Sequence, residues 1–168
     1  LFDPALGGGA MLDLGVYVLA FTRDVIDAMP TRLVVQGNRY RNGVDSDFGM
    51  LLDYGDGRSA TLNCSLRYQD PGRMVVIGTH GWAEVMPRFH HPTRLAVHVG
   101  GAIPRTYELP PAGNGYSHEI QAVNDALHAR LLEQPLMPLQ HTLDVQAMMA
   151  EGLAQLGGTP VDDDTQLG

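Results

Sequence analysis

Between Arg58 and Tyr68 the side chains alternate: Leu62, Cys64, Leu66 and Tyr68 fall on one parity, Thr61, Asn63, Ser65 and Arg67 on the other. Period two is the repeat of an extended strand. A strand that is apolar on one side only belongs to a sheet with one covered and one wet face, the habit of antiparallel sheets. The repeat recurs. Asp47 to Tyr54 sets Phe48, Met50, Leu52 and Tyr54 together, and Leu95, Val97 and Val99 form a third alternating run. Shorter strands are expected at 32–41, 74–78, 82–86 and 106–109. Asn42-Gly43 and Asp56-Gly57 are turn signals, the second a strong hairpin, and Pro71-Gly72 breaks the pattern.

Both ends of the chain carry a different repeat. A run of three glycines, Gly7-Gly8-Gly9, opens an apolar segment that reads as a helix from Gly8 or Gly9 to Asp27, stopped by Pro30. At 116–133 the apolar positions Ile120, Val123, Leu127 and Leu131 recur at helical spacing, with Ser117 as the expected cap. A last helix is expected over 142–156, ending at Gly157-Gly158, with a loose tail at 159–168. The expected fold class is α+β: an open, predominantly antiparallel sheet of about six to eight strands with helices grouped on one face. Its polar face, carrying Thr61, Asn63 and Ser65, is left for solvent or a partner.

Composition excludes several functions. A formal charge of −8 argues against nucleic acid or an anionic membrane as partner. No stretch approaches the roughly eighteen consecutive apolar residues of a membrane span. Cys64 is the single cysteine, so no internal disulfide forms, and a reducing, cytoplasmic compartment is expected. All eleven basic residues are arginine and none is lysine. Arginine stays protonated and cannot serve as a tunable proton-transfer group, so a mechanism that needs lysine must import it. The glycine run lacks the spacing of a dinucleotide or phosphate loop. His90 and His91 are adjacent and point apart on an extended chain, so no metal site is expected.

Two side chains in the leading helix carry chemistry: Asp13 and Tyr17, four residues apart and so one turn apart on one face. A helix that is apolar all round is expected to be buried, and a carboxylate and phenol inside it must be hydrogen-bonded. Spacing leaves two readings open, a satisfied structural pair or a chemical site.

The stretch Gly7-Gly-Gly-Ala-Met-Leu-Asp-Leu-Gly-Val-Tyr17 resembles the helix opening of the second domain of the Gfo/Idh/MocA oxidoreductases, in particular their dihydrodiol and xylose dehydrogenase branch. Gly43-Val44-Asp45, Tyr54-x-Asp56-Gly57, Ile77-Gly78-Thr79-x-Gly81, Gly115-Tyr116-x-x-Glu119 and Pro138-x-x-x-Thr142-Leu143 match in order. The resemblance implies a glyceraldehyde-3-phosphate-dehydrogenase-like C-terminal domain over 1–158. It also implies an N-terminal Rossmann domain, absent from this chain, that binds most of an NAD or NADP cofactor. A small-molecule substrate would sit between the two, with homo-oligomers formed through the sheet face. By position Tyr17 matches the family's acid/base and Asp13 the carboxylate one turn before it. The family pairs that residue with a lysine from a Glu-Lys-Pro motif of the Rossmann half. His90 and Tyr116 are candidate substrate contacts, each also readable as an exposed loop or helix-start residue. Gly8 and Gly9 are candidate points of close approach for the cofactor. Arg39 is a weaker candidate near the nicotinamide, against an ion-paired strand charge.

The sequence reading is therefore the substrate-binding and oligomerisation half of an NAD(P)-dependent oxidoreductase acting on a sugar, polyol or related diol, inactive alone. The chain lacks an initiator Met and reads as the middle of a longer protein. The alternative is a stand-alone, non-catalytic dimerisation or ligand-binding module.

Overall fold

The computed structural model describes residues 1–111, 113, 115–157 and 160–161. They form an α+β fold whose strands are predominantly antiparallel. The chain divides near Pro71 into two compact units, 1–70 with 136–168, and 71–135. The strands fall into two four-stranded sheets, one per unit, where the sequence suggested a single sheet. The dividing point is the Pro71-Gly72 break.

In the first unit a turn of 3-10 helix (Pro4–Leu6) and the glycine run lead into a π-helical turn (Met11–Gly15). That turn continues directly into α1 (Val16–Ile26). Three antiparallel strands follow, β1 (Arg32–Tyr40), β2 (Asp45–Asp53) and β3 (Ser59–Ser65). The third stops short of Tyr68 because the Ser65 hydroxyl accepts bonds from the amides of Arg67 (2.9 Å) and Tyr68 (3.3 Å), a local turn that competes with the ladder. Phe48, Met50, Leu52 and Tyr54 share the covered face, as their alternation requires. They meet Leu62 and Cys64 from β3 and Leu33 and Val35 from β1, all buried. The opposite face leaves Val34, Leu51 and Thr61 side by side and exposed.

The covered face packs against the helices. Met11 and Leu19 from the leading helix and Met148 from the closing helix are fully buried. The closing helix begins at Leu139, three residues before the expected Thr142, directly after the extended Pro138, and runs to Gln155. Its Gly152 lets the helices and sheet close up, since a Cβ there would meet Met11 Cε at 2.8 Å and Met50 Cε at 3.3 Å. The Gln155 amide hydrogen-bonds both the Val35 N–H and the Leu33 carbonyl at 3.0 Å, protecting the outer edge of β1. Further along that edge Pro160–Val161 pairs parallel to Arg39 and Tyr40. The rest of the expected tail, 159 and 162–168, lies outside the described residues, as does 158 in the expected helix stop. Pro4–Ile26 has the length and mean hydropathy (1.5) of a membrane span. Its inner side is the core of this unit, and Asp13, Arg23 and Asp24 interrupt it.

The second unit is a meander of β4 (Met74–Gly78), β5 (Gly81–Val85), β6 (Arg94–Val99) and β7 (Arg105–Glu108). Register places Ile77, Trp82 and His98 in one row, and the Trp82 and His98 rings stack at 3.6 Å. The helix α2 (Ser117–His128) ends five residues before the expected Glu133, at a turn where Arg130 takes a left-handed conformation (φ 55°). Tyr116, not Ser117, is its N-cap residue, and no side chain caps it. Its stripe of Ile120, Val123 and Leu127, expected to face a core, is exposed. The closing helix of the first unit, Leu139–Gln155, is α3.

Candidate functional site

The site grows from the glycine run. Gly8 donates its amide to the Asp3 carbonyl and Gly9 donates to the Leu1 carbonyl, both at 2.9 Å. The chain's first residues thus occupy the amides that a phosphate would need. What these glycines can offer a neighbour is bare backbone, not an anion cradle. Gly9 is glycine for two reasons. Its φ of 133° is one that side chains rarely adopt, and a Cβ would overlap Asp45 Oδ1. Asp45, at the first position of β2, is 2% exposed, and its Oδ2 accepts the Met11 amide at 2.6 Å.

Beyond this capped start the helix makes its π turn, and the Asp13 amide bonds back to Gly9 (3.0 Å). π turns of this kind are frequent at functional sites. Gly15 within it is closely packed, because a Cβ would sit 3.1 Å from Met11 Sδ and 3.2 Å from Phe48 Cζ. The helix is not buried all round, as its uniform apolarity suggested. Met11, Val18 and Leu19 face the sheet, whereas Leu12, Tyr17 and Val25 lie on an open flank. Tyr17 is 50% exposed and Asp13 half-buried. The Asp13 carboxylate makes no hydrogen bond or ion pair among the described residues. An accessible phenol next to an open carboxylate can take part in proton transfer to a ligand; two groups sealed in a core could not.

Farther down the helix Arg23 is buried and bonds Asp144 on α3 at 2.7 Å and Asp27 at 2.9 Å. The Asp144 bond holds the guanidinium pKa above its ordinary value against the opposing effect of burial. The Gln140 amide and Arg23 together hold the Asp144 carboxyl below the usual range. Arg39 is engaged within the fold. Its guanidinium bonds the carbonyls of Leu153, Leu156 and Gly43, closing the C-terminal end of α3.

His90 and Tyr116 belong to the second unit. His90 is exposed and lies edge-on to the Phe89 ring at 5.5 Å. Tyr116 is exposed at the start of α2. The two flank the contact between His91 and Gly115, where a Cβ on the glycine would come 3.2 Å from His91 Nε2. The structure thus places Asp13, Tyr17, Gly8 and Gly9 on or before the leading helix of the first unit, and His90 and Tyr116 next in sequence to the His91–Gly115 contact of the second. Asp45 was visible in the sequence only as part of a turn motif. A carboxylate opposite a glycine-opened helix is the signal that could have singled it out.

Residues 1–84 match the model of the GFO/IDH/MocA C-terminal domain. The chain belongs to the Gfo/Idh/MocA family. Two relatives named trans-1,2-dihydrobenzene-1,2-diol dehydrogenase are similar across most of it. The Xenopus tropicalis protein is 30% identical over 166 residues, 94% of this chain and 49% of its own length. The Bos taurus protein is 33% identical over 147 residues, 82% of this chain and 43% of its own length. The chain thus spans about half the length of the curated relatives it matches. Among solved structures, a 3-ketoreductase from Actinomadura kijaniata in complex with NADP superposes with a TM-score of 0.72 at 18% identity. That match covers 92% of this chain and 50% of that one, and it supports the Gfo/Idh/MocA fold.

Proposed function

We propose that this chain is the substrate-binding and oligomerisation half of an NAD(P)-dependent oxidoreductase, spanning 1–158 with a tail beyond. It acts on a sugar, polyol or related diol in the cytoplasm and is inert without its cofactor-binding Rossmann half. The observation that carries this reading is the placement of Tyr17. It stands half-exposed on the open apolar flank of a helix whose other side is core. The relatives named as diol dehydrogenases support the substrate class, and the NADP-bound neighbour supports the cofactor class.

A nicotinamide held by the other half would supply the hydride acceptor or donor. The chain's own residues handle the proton. Removing hydride from a carbinol carbon leaves a carbonyl only if the hydroxyl proton leaves as well, and reduction returns it. Tyr17 takes or gives that proton at the substrate oxygen through its phenolic Oη. A phenol near its ordinary pKa of about 10 does this poorly at neutral pH, so an adjacent cation from the other half must favour the phenolate. Asp13 orients the substrate hydroxyl or the phenol, while Gly8 and Gly9 let the cofactor approach bare backbone. His90 and Tyr116 are proposed as substrate contacts on the family resemblance alone. The exposed row Val34, Leu51 and Thr61 offers a second copy a partly apolar sheet face.

The test is Tyr17→Phe in the intact two-domain enzyme. Turnover should fall by roughly 10²–10⁴-fold, the usual weight of a general acid/base, with cofactor affinity retained. Unchanged turnover removes Tyr17 from the chemistry. NAD(P)H turnover by the isolated 168 residues would overturn the two-half reading.

A further inference from the structure

We infer that Asp45 is a positioning residue for Tyr17 and Asp13, an assignment that rests on the proton-transfer reading above. Asp45 is 2% exposed, and among the described residues its carboxylate has no cation partner. Its neighbours in β2 are provided for differently. Ser46 donates to Asp47, and Asp47 is further bonded by Asn38 and Arg67. Asp45 instead depends on the helix. Its Oδ2 holds the Met11 amide at 2.6 Å, and its Oδ1 fills the space that a side chain at Gly9 would need.

A buried carboxylate without a cation is costly unless hydrogen-bond donors meet it, and the positive end of a helix is where its charge is best tolerated. The dependence is mutual. If the helix start shifts, the carboxylate is stranded; if the carboxylate is removed, the Met11 amide loses its acceptor and the space beside Gly9 empties. The bonded amide is the first residue of the π turn, two positions before Asp13 and six before Tyr17. A helix that begins on a loop of consecutive glycines gets little from their own backbone preference to fix its start, because glycine backbone is permissive. Asp45 ties that start to the first residue of β2, an inner strand of its sheet, which sets the height and rotation at which Asp13 and Tyr17 emerge. Proton transfer tolerates small misplacement badly: about 1 Å can cost 10²-fold.

The test uses the intact enzyme with three variants. Asp45→Ala should lower kcat by roughly 10–100-fold. Asp45→Asn, which keeps an oxygen for the Met11 amide, should recover most of that loss. Amide exchange in the 168-residue chain carrying Asp45→Ala should accelerate over 9–15 and stay unchanged across β1 to β3. Unchanged kcat in Asp45→Ala beside an inactive Tyr17→Phe overturns the positioning role and leaves the proton-transfer reading intact. An active Tyr17→Phe overturns that reading itself, and the exchange pattern then decides whether Asp45 anchors the helix. If Asp45→Ala fails to fold, Asp45→Asn decides. Near-normal kcat with exchange confined to 9–15 supports the role; losses spread over the whole chain make Asp45 merely structural and overturn it.

Discussion

The ion pair between Arg23 and Asp144 gives the sharpest test of how α1 is held. Both side chains are 11% exposed, and they bridge α1 and α3 at 2.7 Å. Arg23→Met keeps the aliphatic packing and removes the charge. Asp144 is then left buried with the Gln140 amide at 2.8 Å as its remaining side-chain partner. Removing one member of a buried pair typically costs about 3–5 kcal/mol, because the survivor is an uncompensated charge. For a chain of this size that is a fall in Tm of roughly 6–20 °C. Replacing both members, as Arg23→Met with Asp144→Leu, should recover most of the loss, since well-packed apolar residues often do as well as a buried pair. The pH dependence has a definite sign. The folded-state pKa of Asp144 is depressed by Gln140 and Arg23, so its contribution is full above the unfolded value of about 3.9 and is lost as pH falls through the folded one. In Arg23→Met the carboxyl loses its cation and moves upward. The gap between variant and wild type should therefore be widest near neutrality and shrink as pH falls through the carboxylate range. Urea unfolding followed by far-UV circular dichroism measures this. Fluorescence is the wrong probe, because the single tryptophan, Trp82, belongs to the other unit. A loss below about 1 kcal/mol in the single variant, or a double variant as unstable as the sum of its parts, would refute the reasoning.

Two other side chains give clean outcomes. Burial pushes the Cys64 thiol up to about 12, so it should resist thiol reagents at pH 8 in the native protein and react fully in denaturant. Rapid labelling of the folded chain would contradict its place in the core. The Tyr54 hydroxyl is buried without a hydrogen-bond partner among the described residues, and burial raises its pKa despite the nearby Arg58 and Arg23. Tyr54→Phe should therefore leave stability unchanged or raise it by up to about 1 kcal/mol in urea titrations. A clear loss would mean the hydroxyl is satisfied.

The strands were legible because alternation is a local signal. Phe48, Met50, Leu52 and Tyr54 announce their shared face by spacing alone, and all four are buried. What failed was non-local. Uniform apolarity in the leading helix suggested burial on every side, yet which side is covered depends on where the sheet lies, and Tyr17 emerges exposed. Arg39 carries the same charge whether it meets a ligand or the last carbonyls of α3, and only tertiary placement distinguishes these. The stripe of Ile120, Val123 and Leu127 has faultless periodicity, but periodicity does not state what covers it. The spacing of Asp13 and Tyr17 was visible; the bond from the Met11 amide to Asp45, more than thirty positions away, was not.

That support bears on how one helix can be both part of a core and part of a site. Its start is fastened to β2 through Asp45 and Met11, and its last turn to α3 through Arg23 and Asp144. Between the two anchors the inner side packs through Met11 and Leu19 against the sheet and Gly152. The outer side carries Tyr17, which is half-exposed. A group that transfers a proton needs a fixed position and an open approach, two demands that conflict for a side chain that must itself be packed. Fixing the helix at its ends and along its inner side eases the conflict, because the backbone that carries Tyr17 is then held from its covered side. The anchors should consequently differ in effect. Loss of the Arg23 bond, a full helix turn and more beyond Tyr17, should appear mainly as instability. Loss of the Asp45 bond, at the end where Asp13 and Tyr17 emerge, should appear mainly in kcat.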